Sequence, residues 1–91
     1  MNKLINTLNE LAKELRKQEV SYTTCDKLRI KIDQEADKNR YVINDLLLYR
    51  KIKDVGFEYH NNDMEYVHIR YALVAKIYLC VDLLTRKEQT L

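Results

Sequence analysis

One glycine and no proline in 91 residues leave this chain very little with which to make a sharp turn. Average usage would supply about ten such residues. Two-residue hairpins, glycine-rich phosphate loops and the tight corners of sandwiches and barrels need backbone at positive φ, which glycine adopts most freely. Gly56 alone is available for that role. The shortage runs against an all-β fold, a P-loop and a dinucleotide fingerprint, and it favours helices joined by short polar connections.

The length suits one domain spanning residues 1–91, and 46% hydrophobic residues against 33% charged is the balance of a chain that folds. Sixteen basic and fourteen acidic residues give a net charge of +2, far from the excess of a non-specific nucleic-acid binder. Asn6, Asn9, Glu10 and Lys13 interrupt any apolar leader, so the chain is expected to begin at Met1 and to stay in the cytoplasm. There Cys25 and Cys80 are expected as reduced thiols. Tyr71–Leu84, the most apolar stretch, contains Lys76 and Asp82 and is shorter than the roughly 20 residues of a membrane span.

Apolar periodicity predicts a small three- or four-helix bundle with a long C-terminal helix. Leu4, Leu8, Leu11 and Leu15 form a seam in a helix from Asn2 to Gln18, with Lys3, Asn6, Glu10, Lys13 and Lys17 on the opposite side. Ser21, Thr23 and Thr24 mark a break and a new helix start, followed by Cys25, Leu28, Ile32 and Ala36 on one face. The polar run Asp33–Arg40 is either a loop or an exposed waist in one helix from about Tyr22 to Val55. Asn44 and Asp45 can cap a helix from Leu46 to Asp54, which Gly56 would end. Phe57–Asp63 is then a loop and hinge. The spacing of Asn62 and Glu65 predicts a capping box opening the last helix, Asp63–Lys87.

That last helix carries two apolar rows. One runs through Tyr66, Ile69, Leu73, Ile77, Cys80 and Leu84, the other through Val67, Tyr71, Val74, Tyr78 and Val81. A surface helix needs only about 100° of apolar arc, so the excess predicts a homodimer through Tyr71, Val74, Tyr78 and Val81.

Few constellations point to chemistry. His60, Asp63 and His68 contain metal-ligand atoms, but at a spacing that turns them in different directions, and the cysteines lack CxxC pairing, so no metal or cofactor is expected. Both thiols fall on apolar faces, away from any oriented base, and the carboxylate pairs Asp33/Asp37 and Glu10/Glu14 lie among lysines and arginines as solvated ion pairs would. A non-enzymatic role follows. Seven tyrosines against one phenylalanine and no tryptophan favour wet interfaces, because a phenol buries a ring yet keeps a polar tip. We expect a small regulatory or inhibitory protein of phage or plasmid type, binding a larger protein through Tyr59, His60, Tyr66 and Arg70.

An alternative places a winged helix-turn-helix on the same residues. Leu46–Val55 would read DNA with Tyr49, Arg50, Lys51 and Lys53, Phe57–Tyr71 would form the wing around Asn61-Asn62, and Ala72–Lys87 would be a dimerisation helix.

Overall fold

The computed structural model describes residues 1–90, and these form helices without strands: α1 (Asn2–Leu15), α2 (Tyr22–Lys38), the single turn α3 (Arg40–Ile43), α4 (Leu46–Asn61) and α5 (Val67–Thr90). Helices α1 and α4 each pack on both α2 and α5. Short connections make successive long helices antiparallel, so the four form an up-down square within 38 × 19 × 19 Å. One end holds the start of α1, α3 and the start of α4. The other holds the α1–α2 turn and the α4–α5 turn.

The leucine seam of α1 supplies the centre of the core, where Leu4, Leu8, Leu11 and Leu15 are fully buried with Ile32 of α2, Ile52 of α4 and Ile77 of α5. The helix stops at Leu15, three residues before the expected end, because Glu14 is drawn into the following turn. Its carboxylate accepts the Ser21 N–H at 3.1 Å and the Lys17 ammonium at 3.0 Å. Glu14 is therefore a buried turn-closing group and not one of a solvated pair. Ser21 then caps α2 by accepting the Thr24 N–H, as the hydroxyl-rich break predicts.

Residues 22–55 are not one helix but α2, the single turn α3 and the first part of α4. The polar run stays helical through Lys38, and the chain reverses at Asn44, whose φ of 45° and ψ of 43° lie in the left-handed region. Asparagine tolerates that conformation better than other residues with a side chain. Asp45 caps α4 by accepting the Leu48 N–H at 3.1 Å.

Gly56 does not end α4. It is buried in mid-helix where α4 crosses α2, and a Cβ there would lie 3.2 Å from Asp33 Oδ1 and 3.3 Å from Arg29 Cγ. The glycine sets a close approach of two helices, and the expected Phe57–Asp63 loop is helical as far as Asn61. The first part of the segment drawn as a wing is likewise helix. Asn62 does not open a capping box, since its side-chain amide donates back to the Glu58 carbonyl at 2.9 Å. Asp63 orders the turn instead by accepting the Glu65 N–H at 3.0 Å, and α5 begins at Val67.

Among the described residues no helix is long and apolar enough to cross a membrane.

Candidate functional site

The four residues expected to touch a partner separate into two kinds. Tyr59 and Arg70 are buried, whereas His60 and Tyr66 are exposed. Arg70 occupies the step before Leu73 in the core row, and its guanidinium turns toward the bundle end. Nε donates to the Leu15 carbonyl at 3.2 Å, and Nη1 donates to the carbonyls of Met64 at 2.7 Å and Glu65 at 3.2 Å. One side chain thus satisfies the open end of α1 and fixes the α4–α5 turn. This is a structural staple.

Above it lies an open cleft of about 310 Å³ between Tyr22, Asp26, Tyr59, His60 and residues 62–65. Most of its polar groups are already spent on the fold. The Tyr22 hydroxyl donates to the Met64 carbonyl at 3.2 Å, and the Tyr59 hydroxyl points to the Tyr22 carbonyl at 3.5 Å. Burial, helped by the neighbouring Asp26 carboxylate, raises the Tyr59 pKa and keeps the phenol neutral. The two phenols of the cleft are thus tied into the fold, whereas His60 and Glu65 at its rim are exposed.

Neither thiol is placed for nucleophilic chemistry. Cys25 and Cys80 are buried, and desolvation pushes each pKa up to about 11, which suppresses the reactive thiolate. Among the described residues no three His, Cys, Asp or Glu side chains converge as metal ligands.

The four residues assigned to DNA also divide. The Tyr49 hydroxyl donates to Asp37 Oδ1 at 2.5 Å, and the Lys53 ammonium lies 3.3 Å from both Asp37 oxygens and 3.7 Å from Asp33. Tyr49, with Lys53, holds the Asp37 carboxyl below its ordinary pKa. Arg40 stacks over the Tyr49 ring, 5.0 Å from its centroid. Tyr49 and Lys53 therefore belong to the α2–α4 seam. Asp33 and Asp37, expected as a solvated pair, are its other half. Only Arg50 and Lys51 point to solvent.

Two outer faces carry apolar side chains that the core does not use. Along α4, Leu46, Arg50, Asp54 and Phe57 succeed one another on the outer side with Leu47 alongside, and Leu47 is 71% and Phe57 65% exposed. Tyr41, 92% exposed, projects from α3 at the head of this face with Val42 beside it. On α5, Tyr71, Tyr78 and Leu79 are between 41% and 50% exposed. The expected dimer row is split by the structure, because Val74 is buried at 6% exposure and Val81 packs against the core of its own chain. The sequence pattern separated neither face cleanly. On α4 the apolar side expected from Leu47, Leu48, Ile52 and Val55 loses Leu47 to the surface, and on α5 the outer face merges in sequence with the inner flank.

No family model matches the chain, and comparisons with curated proteins and with solved structures find no match either.

Proposed function

We propose that this protein is a non-enzymatic interaction protein that docks on a larger protein through the outer face of α4, acting by occlusion or bridging and not by turnover. The observation that carries this reading is the exposure of Leu46, Leu47 and Phe57 on one helix, headed by Tyr41 and Val42. Burying a large apolar side chain fully is worth roughly 1.5–3 kcal/mol, so two or three of them suffice as anchors against the cost of association. Arg50 and Lys51 stand among them as exposed cations, outnumbering the one exposed carboxylate of the face, Asp54. The fitting partner offers an apolar groove with an acidic rim.

Duplex DNA fits this face less well. Leucines and a phenylalanine would be pressed toward phosphates, and two of the four candidate cations and phenols are already held by Asp33 and Asp37.

A pull-down from nuclease-treated native lysate tests the reading when it compares wild type with Leu47→Glu/Phe57→Glu and with Lys13→Glu on the outer side of α1. A stoichiometric protein retained by wild type and Lys13→Glu but lost by the double variant supports it, and cross-links from Lys51 should map to that protein. Retention on duplex DNA at low salt, or capture unaffected by the double variant, overturns it.

A further inference from the structure

The outer face of α5 is built to meet itself. Tyr71, Ala75, Tyr78 and Asp82 follow one another along it in steps of four, three and four, and His68, Ala72, Ala75 and Leu79 in the same steps beside them. All seven positions are exposed, with Ala75 common to both rows. Turning a second copy end for end about Ala75 maps one row onto the other. From this we infer that two copies of the chain pair through α5 as an antiparallel homodimer with Ala75 on the two-fold axis.

The chemistry of each facing pair agrees with that register. Tyr71 meets the partner's Leu79, ring against branched aliphatic. Tyr78 meets the partner's Ala72, and large against small, with Ala75 at the centre, permits the 8–10 Å separation of packed helices. At the two ends His68, with an imidazole N–H to donate, faces the partner's Asp82 carboxylate. Arg86, which holds Asp82 at 3.1 Å, comes level with the acidic turn at the partner's Asp63 and Glu65. A parallel arrangement instead sets His68 against His68 and Asp82 against Asp82. Like against like at both ends selects the antiparallel form.

The face is also held ready. Arg16 Nη1 donates to the Tyr78 hydroxyl at 3.0 Å, which satisfies the phenol within its own chain and leaves the ring outward. The Tyr66 ring lies 5.9 Å from that of His68 and limits the imidazole. From His68 to Arg86 the contact runs about 27 Å, at the rise of an α-helix. A contact of that length falls near the lower end of specific interfaces, about 1,000 Å² in total, and suits a micromolar dimer. This inference is independent of the α4 face, which the pairing leaves open.

Cysteine cross-linking tests both contact and direction, since the native thiols are buried. Under mild oxidation Ala75→Cys should give a covalent species at twice the 11.0 kDa chain mass, at least roughly tenfold faster than Lys13→Cys. His68→Cys mixed with Asp82→Cys should cross-link, and neither should do so alone. Sedimentation equilibrium should show wild type dimerising and Ala75→Glu weakened by roughly 100-fold or more, with an unchanged helical circular dichroism spectrum. Ala75→Cys cross-linking no faster than Lys13→Cys, His68→Cys cross-linking with itself, or Ala75→Glu sedimenting as wild type does would each overturn the proposal.

Discussion

Helices α1 and α5 are neighbours in one bundle, yet they spend their apolar residues differently. In α1 every leucine is buried, and the far side holds Asn6, Glu10 and Lys13 in solvent. In α5 the row Leu73, Ile77, Cys80 and Leu84 is buried to the same degree, but Tyr71, Tyr78 and Leu79 lie outside it. The fold needs one stripe from each helix. A second stripe adds nothing to the monomer's core and carries a cost in solubility, and its presence on α5, and in another form on α4, is what motivates the two contacts proposed above. The bundle is thus divided between α1 and α2, where Tyr22 and Ile30 are the large apolar side chains left exposed, and a presenting half, α4 and α5, which turns several more outward.

The sharpest way to break this division is to remove one leucine from each kind of surface. Leu8→Ala should cost about 3–4 kcal/mol, because a fully buried site in the middle of a seam cannot collapse around the cavity. Leu79→Ala should change the monomer's stability by no more than about 0.5 kcal/mol. Urea denaturation at high dilution, where chains are separate, measures both. A similar loss for the two would mean that the outer face of α5 contributes to the monomer after all.

Arg70 is the next test, since it is a charged residue in the presenting half that does structural duty. Arg70→Met keeps much of the apolar stem but leaves the carbonyls of Leu15, Met64 and Glu65 without their donor, and should cost about 3 kcal/mol. Arg50→Met, on the exposed side of α4, should cost less than about 0.5 kcal/mol. If the two were equal, the buried guanidinium would not be the group that joins the α1 terminus to the α4–α5 turn.

These residues also show what the sequence made legible. The α1 seam was readable because its steps of three and four fall on leucine every time, with nothing but polar residues opposite. The helical class followed from the missing glycines, and the caps at Ser21 and Asp45 from side chains suited to take a backbone N–H. Gly56 was misread because one property serves two ends. Lacking a Cβ, glycine relaxes a helix terminus, and it equally lets a second helix approach, as Arg29 and Asp33 do here. The polar run through Lys38 resembled a loop because its partners, Tyr49 and Lys53, lie on another helix. Arg70 looked like a surface residue by type. Its position held the contrary signal, since Arg70, Leu73, Ile77, Cys80 and Leu84 step by three and four along the buried row. The apolar excess of α5 was legible as an amount, but its direction required knowing which flank α1 covers.

The smallest effect separates the two corners at the closed end of the bundle. The α1–α2 turn is held by the buried Glu14 carboxylate and the α4–α5 turn chiefly by the Arg70 guanidinium, with Asp63 on its surface, so acid should loosen the first more than the second. Glu14 has its pKa lowered, chiefly by the Ser21 N–H and then by Lys17. A folded-state value below the unfolded one means that the native chain binds this proton more weakly. The stabilisation is therefore present above the ordinary carboxylate range, near pH 4, and is lost as pH falls through the lowered value. Hydrogen exchange should show amide protection around Ser21–Thr24 falling at acid pH while that around Arg70 persists, and Glu14→Gln should flatten the first response at a cost of about 1 kcal/mol at neutral pH. Asp37, lowered through Tyr49 and Lys53, shifts in the same direction, so Asp37→Asn is the control that assigns acid sensitivity to the α2–α4 seam. Loss of protection at both corners in one step would show that Arg70, bound to the Leu15 carbonyl, couples them, and the two halves of the bundle would then open together.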